Sequence, residues 1–570
     1  MTSLLQRIGR WLGHRPRRAW LGDSVVLLVG RGRAPRGAEE LGSATVAGKR
    51  VRLYRAAAPP GYGGTEQLEE LLRNEFPDLE DEGGHLMDLI LDATKVELER
   101  PDTMDLRRAL EIVRDAVRPS VPTLMNHADT SLAAAVDSIE AIDERSFVAL
   151  GWLHDPGGVV ESIEAISPEG QRVELLQGAY RRRRPDVEAV HQTVAGEEQG
   201  FTRYFELAVP SRLGAEWIVE LRDRAGRTFE LNRPVAIHDL RQTKGYLLNH
   251  FRVSRLLRDD ATFANTHPPL ARIQTIMRDQ VRVTNVVQYG EPPPDPKISI
   301  IVPLYQRIDL VEHQLAHFGH DPEIAQADLI YVLDSPGAAD ELGRVAPALQ
   351  ELHAVPFRVA TLNRNGGFAI ANNLGAQLAR GDVLLLLNSD VMPDEPGWLG
   401  TMAAFHAATP DVGAVGAKLL FEDDSIQHAG MYFQRSGETA LWTNQHYFKG
   451  FSRSLDAANV TRPVPAVTAA CMMIERTLYE QVGGLWHGYV DGGSEDSDLC
   501  IRLLDAGRRN WYLADVELYH LEAQSYRTPD RTAHSYNSWL QTHLVGERIE
   551  EIMRAQAEGP DAHVLSPDLV

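Results

Sequence analysis

Three short clusters between Asp382 and His520 carry the residue types of one reactive site. The first is the apolar run Leu384-Leu385-Leu386-Leu387, which ends in Asn388-Ser389-Asp390. The second, Gly492-Gly493-Ser494-Glu495-Asp496-Ser497-Asp498-Leu499, sets three acids behind two glycines. The third is His520, closing the alternating run Val516-Glu517-Leu518-Tyr519-His520. An apolar run of this kind is expected as a buried strand, and a carboxylate at its end emerges where open α/β sheets bind ligands. A carboxylate and an imidazole sharing a cleft can hold a divalent cation, which would neutralise a diphosphate leaving group. The chemistry indicated is transfer of a group from a nucleotide diphosphate.

The elements that must position these groups alternate in type. Ile298-Ser299-Ile300-Ile301-Val302-Pro303 is a β-branched first strand, and a helical segment follows over about 308–318. Further strands are expected at Leu329–Leu333, ending in Asp334, and at Phe357–Leu362 and Val383–Leu387. A helix is expected to open at Asn365-Gly366-Gly367-Phe368. Such alternation predicts an α/β domain with a doubly wound, mainly parallel sheet over 297–545. Right-handed crossovers put the strand ends at one edge, so Asp334 and Asp390 are expected to converge. The Pro-rich stretch Glu291–Pro296 is expected to be a semi-rigid linker into this domain, and 546–570 to be a helix end and tail.

Upstream, the pattern divides the chain further. Residues 1–134 read as an α+β segment, with strands at Ser24–Gly30 and Lys49–Tyr54 and helix over most of 65–118. Residues 135–237 hold short strands separated by turns such as Asp155-Pro156-Gly157-Gly158, which predicts a small β-sandwich-like domain. Trp152 and Trp217 in this domain are either core residues or a carbohydrate-binding surface. Arg181-Arg182-Arg183-Arg184 is expected to be an exposed loop. Residues 238–296 read as a helical connector running into the Pro-rich linker.

Composition limits the partners. The formal net charge of −22 argues against broad nucleic-acid binding, which needs a basic footprint, and leaves open a local pocket for one nucleotide. Cys471 and Cys500 are the only cysteines, too few for a disulfide framework, which fits a reducing compartment. No apolar run approaches the ~20 residues that span a bilayer. No secretory signal is visible, and a cytoplasmic setting is expected. The first twenty residues interleave Arg7, Arg10, Arg15, Arg17 and Arg18 with Leu4, Leu5, Ile8, Trp11 and Leu12. That spacing allows a short basic amphipathic helix at the inner face of a membrane, or a basic terminus docked on the acidic protein itself.

Taken in order, Val302-Pro303-Leu304-Tyr305, Asp334, Asn365-Gly366-Gly367-Phe368-Ala369 with Asn372-Asn373, Asn388-Ser389-Asp390, Glu495-Asp496-Ser497-Asp498-Leu499 and His520 resemble a family 2 glycosyltransferase. The resemblance covers about 297–527 and is nearest the rhamnosyl- and galactofuranosyltransferase-like branch. It implies the GT-A fold, a UDP- or dTDP-sugar donor, Mg2+ or Mn2+, inversion at the anomeric carbon, and a glycan or lipid-linked acceptor of surface polysaccharide synthesis. Carried over residue by residue, it makes Asp390 and His520 metal ligands and Asp496 the catalytic base, with Glu495 beside it as the alternative catalytic residue or the one that orients the acceptor. It assigns donor contacts to Pro303, Tyr305, Asp334, Asn365, Gly366, Gly367, Asn372, Asn373, Asn388 and Ser389. It places Asp498 and Trp486 near the acceptor. Asn388 stands where the family often has an aspartate, and Trp486-His487 where an acid is common.

Plainer roles exist for the same residues. Asp334 can cap the turn Asp334-Ser335-Pro336-Gly337, and Ser494–Asp498 can be the acidic start of a helix. A nucleotidyltransferase of similar fold would need a glycine- and lysine-rich phosphate loop after the first strand, and Pro303-Leu304-Tyr305-Gln306 is a poor match. A non-catalytic glycan-binding or scaffolding protein would not need Asp390, Asp496 and His520.

Overall fold

The computed structural model describes residues 18–21, 24–30, 33–57, 64–76, 83–98, 104–118, 121–124, 132–191, 197–251, 260–437, 439–521 and 531–559. The chain divides into two compact units, one of residues 1–250 with 259–270, the other of 251–258 with 271–570. Most of the N-terminal stretch expected as a basic helix lies outside the described residues. Its end, Arg18–Leu21, is a strand with Ala19, Trp20 and Leu21 buried.

The first unit begins with a four-stranded antiparallel sheet packed on the helices Gly64–Glu75, Gly83–Leu98 and Met104–Val117. A five-stranded and a four-stranded sheet follow, sharing one core that includes Phe147, Phe201, Trp217 and Leu221. Trp217 is fully buried with ring centroids 5.1 Å from Phe147 and 5.9 Å from Phe205, so it is core and not a sugar platform. The arginine run is a loop only in part, since Arg181 and Arg182 close a strand and Arg183 and Arg184 connect it to a helix. Tyr180–Arg182 is a strand and Pro185–His191 a helix, because neighbouring acids neutralise the charge: Arg184 pairs with Asp137 and Asp186, and Arg183 with Glu188.

The second unit is built on one large mixed sheet. Its main strands are β1 (Val283–Tyr289), β2 (Ile298–Leu304), β3 (Asp328–Leu333), β4 (Phe357–Leu362), β5 (Val383–Leu387), β6 (Val391–Pro393), β7 (Val412–Leu420), β8 (Cys471–Glu475) and β9 (Arg509–His520). Its helices include α1 (Asp309–Phe318), α2 (Ala339–His353), α3 (Phe368–Leu378), α4 (Trp398–Ala408), α5 (Glu495–Asp505) and α6 (Arg531–Ala557). The strand order is β1-β4-β3-β2-β5-β8-β7-β9-β6. The β4-β3-β2-β5 core is parallel, and β1 and β8 flank it antiparallel.

Alternate residues supply the two faces. Ile301, Ile330, Leu384 and Leu386 join the layer of α3 and α5, while Ile300, Val302, Leu329, Leu385 and Leu387 join that of α1, α2 and α4. With both faces covered, the strands read as continuous apolar runs. Gly375 lets α3 lie close to the sheet, since a Cβ there would sit 2.4 Å from Ile301.

Two expected boundaries move. Residues 283–289, expected within a helical connector, form β1, because Val283, Val286, Val287 and Tyr289 favour a pleated edge and pair with β4. The sheet therefore begins before the Pro-rich linker. The helix α6 runs through residue 545 as far as Ala557, with Ile549 and Ile552 in the core, so the boundary expected after 545 falls inside a helix. Among the described residues, no helix is long and apolar enough to cross a membrane.

Candidate active site

The sheet makes a crevice at one point. β2 pairs with β3 as far as Leu304 but with β5 only as far as Ile301. The chain leaves β2 through α1 toward β3, then reaches β5 on the opposite side through α3. Ligands bind open α/β sheets at such a switch point, beyond the carboxyl ends of the strands. Pro303 and Tyr305, both partly exposed, lie at the end of β2, and Asn388, Ser389 and Asp390 lie at the end of β5. Buried Gln314 of α1 fixes this second turn, donating to the carbonyls of Asn388 (3.1 Å) and Val391 (3.0 Å).

Asp390 and His520 meet at this edge. Val391 pairs with His520 across β6 and β9, and the amide of Leu521 donates to the Asp390 carbonyl. His520 Nε2 lies 3.3 Å from Asp390 Oδ1 and 3.4 Å from Asn388 Nδ2. On the other side of the ring, Nδ1 lies 2.6 Å from Gln427 Oε1, and Gln427 Nε2 donates to the His520 carbonyl. Since the amide oxygen of Gln427 can only accept, Nδ1 is the donor in that contact and Nε2 is the ring nitrogen that faces Asp390. Among the described residues, the buried Asn388 Oδ1 has no hydrogen-bond partner.

A carboxylate, an imidazole nitrogen and an unsatisfied amide oxygen in one place fit a divalent cation that completes its shell with phosphate oxygens and water. The set is sparse, because among the described residues no group of three or more His, Cys, Asp or Glu side chains converges.

Asp496 adjoins this edge through the turn before β8. Thr468 and the amide of Ala469 (3.4 Å) hydrogen-bond its carboxylate, while the carbonyl of Ala470 accepts from the amide of Asn388 at 2.9 Å. The three acids of this cluster have unlike surroundings. Glu495 is buried, and its Oε2 accepts from the amides of Gly493 (2.6 Å) and Ser494 (2.9 Å). Burial, reinforced by the charge of Asp496, pushes its carboxyl up to about 7. Asp498 is paired with Arg502 at 2.8 Å, and the same guanidinium donates to the carbonyls of Val482 and Gly484. Asp496 alone is partly exposed, and burial of its carboxyl raises its pKa from the ordinary aspartate range. Only Asp496 combines access with the capacity to take a proton.

The other expected donor contacts separate into two groups. Asp334 accepts from the amides of Gly366 (2.6 Å) and Gly367 (2.9 Å), one on each oxygen, and burial raises its pKa to about 6. It holds the loop that opens α3, where Gly367 has φ +81°, and Asn365 is exposed beside it. Asn372 is fully buried and donates to the Phe368 carbonyl, so it supports the helix instead of reaching the crevice. Asn373 is likewise engaged, bonded to the Tyr479 hydroxyl and to both backbone groups of Leu485. Trp486 lies on that same side of α3, with its ring 5.0 Å from Tyr489.

The loop carrying the acids is anchored by residues the sequence did not mark. Asn537 of α6 bonds to the Val490 amide (2.9 Å) and to the carbonyls of Val490 (2.9 Å) and Gly492 (2.9 Å), and Gln541 donates to Ser497. Gln427, Gln314 and Asn537 are isolated amides, and their roles follow from contacts distant in sequence, so no spacing pattern exposes them.

Residues 299–483 match the profile of Glycosyl transferase family 2. This segment is a family 2 glycosyltransferase domain. The chain is 31% identical over 247 residues to the uncharacterized protein y4gI of Sinorhizobium fredii, covering 42% of this chain and 26% of that protein. It is 31% identical over 235 residues to the O-antigen biosynthesis protein RfbC of Myxococcus xanthus, covering 41% of this chain and 18% of that one. It thus spans about a quarter or less of either relative's length. A mannosyltransferase from Pyrobaculum calidifontis, solved with GDP-Man and Mn2+, overlaps 56% of this chain and 82% of its own at TM-score 0.32 and 18% identity. GalNAc-T7, solved with UDP, GalNAc and Mn2+, overlaps 42% of this chain and 47% of its own at TM-score 0.33 and 15% identity. The assignment rests on the family match and the sheet, whose parallel core and antiparallel flank are of the GT-A type.

Proposed function

We propose that this chain is an inverting, metal-dependent glycosyltransferase that moves a sugar from a UDP- or dTDP-sugar to a hydroxyl of a glycan or lipid-linked acceptor. The carrying observation is the Asn388–Asp390–His520 cluster at the switch point, with the Asp496 turn hydrogen-bonded to its backbone. Asn388, Asp390 and His520 would hold Mg2+ or Mn2+, which when bound neutralises charge on the departing diphosphate. Asp496 removes the proton of the acceptor hydroxyl. The hydroxyl oxygen bonds to the anomeric carbon from the face opposite the nucleotide, the bond from that carbon to the diphosphate oxygen breaks, and the configuration inverts. Asp334 fixes the Gly366–Gly367 backbone against the donor, and Pro303, Tyr305, Asn365 and Ser389 border the donor crevice.

The name of the Myxococcus relative supports a role in surface polysaccharide synthesis, and a cytoplasmic setting with the basic stretch ahead of Arg18 at the membrane is part of the same proposal. The test is a panel of nucleotide sugars with Mn2+. One donor should release nucleoside diphosphate, EDTA should stop the release, and the product should carry the inverted linkage. Pyrophosphate release from a nucleoside triphosphate would instead establish a nucleotidyltransferase, and no turnover with any donor and acceptor pair would leave a binding protein.

A further inference from the structure

On the side of α3 that carries Asn373, a cavity of about 450 Å3 lies between that helix and the turn 483–487. Its floor is apolar, with Ile370, Leu374 and Leu485, and its aromatic wall is Trp486. The indole is rigidly placed. Gly488 packs beneath it, where a Cβ would come 2.2 Å from Trp486 Cζ2, and Tyr489 meets it edge-on at 84°. Gln274 fixes the following backbone, donating to the carbonyls of His487 (3.3 Å) and Tyr489 (3.1 Å).

The polar groups around this wall distinguish among ligands. Gln377 and Glu480 line the cavity, are exposed, and make no side-chain hydrogen bond to the described residues. His487 accepts from Arg278 through Nε2 at 3.0 Å, because a guanidinium only donates, so the neutral ring keeps its proton on Nδ1. Burial and the Arg278 charge both lower the pKa of His487, in keeping with that neutral form. Arg278 is paired with Asp279 at 2.6 Å. The one guanidinium in the lining is therefore already balanced, which disfavours a phosphate. An alkyl chain would gain nothing from an uncommitted amide and carboxylate. A planar amide, a carboxylate and an imidazole N–H beside a fixed aromatic face suit a ring that is polar at its edge and apolar on its face.

We infer that this cavity is a subsite for a neutral sugar residue of the acceptor glycan, other than the residue whose hydroxyl reacts. The inference rests on the glycosyl-transfer reading above and deepens its acceptor side. Tyr489 stands between the indole and the acids, close enough to Asp498 and Glu495 to feel both charges. Arg502 ties Gly484, beside Trp486, to Asp498, two residues from Asp496. A sugar seated on Trp486 therefore reads onto the loop that carries the base, so longer acceptors are used better than short ones.

The test uses the full chain with methyl glycosides of glucose, galactose, mannose and rhamnose, and with octyl phosphate, observed by saturation-transfer NMR. At least one methyl glycoside should bind with a dissociation constant on the order of 1–10 mM. Binding should weaken at least about tenfold in Trp486→Ala, recover in Trp486→Phe, which keeps a stacking face, and weaken in Gln377→Ala. Gln377 is exposed, so that variant keeps the reading independent of any folding defect in Trp486→Ala. Binding of none of the four glycosides, binding of octyl phosphate alone, or glycoside binding unchanged in both alanine variants would overturn the subsite. Nucleoside diphosphate release by the same wild-type sample, measured in parallel, separates failure of the subsite from failure of the transfer reading.

Discussion

The end of β5 and the start of α5 both present acids to the crevice, yet they use hydrogen bonding in opposite ways. At the β5 end, the groups keep capacity in reserve: among the described residues Asn388 Oδ1 has no partner, and Gln427 engages Nδ1 of His520 while Nε2 faces Asp390. At the α5 start, capacity is mostly engaged: Glu495 holds Gly493 and Ser494, and Asp498 holds Arg502, leaving Asp496 as the partly exposed member. A run of acids in a sequence marks a place. Which acid reacts is decided by what the others are already doing.

Substitutions sharpen this division, beginning with the largest effect. Asp496→Asn should lower kcat by about 10²–10⁴-fold, the usual worth of a general base, with the donor dissociation constant nearly unchanged. In the wild type, the active form has Asp496 deprotonated, so kcat should rise with pH. Burial raises its pKa, so that rise lies above the ordinary aspartate range, and a kcat–pH profile measures it. Gln427→Leu frees the His520 ring, and calorimetry should find Mn2+ bound about 10–100-fold more weakly. Asp498→Asn removes the charge partner of Arg502, and thermal unfolding should report a loss of about 1–3 kcal/mol while the surviving folded protein keeps turning over.

Glu495→Gln should be the mildest. An amide oxygen can still accept from Gly493 and Ser494, so kcat should fall by less than about tenfold. The pH dependence of stability should change more clearly. The carboxyl is raised from 4.5 to about 7 in the fold, so its contribution is complete below pH 4.5 and is lost as pH rises through 7. The melting temperature of wild type relative to Glu495→Gln should accordingly fall across that window. A flat difference would show that Glu495 is not held in a buried, uncharged form.

Much of the site was legible because strand ends and chemistry coincide in the sequence. The apolar run into Asn388-Ser389-Asp390 and the alternation into His520 located the two strand ends that meet. Asp334 was legible as a strand-end acid, but not as the clasp of Gly366 and Gly367, since that bond joins residues 32 and 33 positions apart. Asn372 and Asn373 carried the family pattern while facing the helix and the 485 turn, and sequence spacing does not tell a buried amide from an exposed one. The strand at 283–289 was hidden because the helical reading of the preceding residues was carried on to 290, over its valines. Trp217 needed the structure to separate core from surface, because a sandwich uses tryptophan for both.

The most direct test of the division of labour is Mn2+ binding and donor turnover measured together in three proteins. Wild type should bind Mn2+ and release nucleoside diphosphate. Asp390→Ala should lose both, and Asp496→Asn should keep the metal and lose turnover. Retained Mn2+ binding in Asp390→Ala, or its loss in Asp496→Asn, would contradict the account.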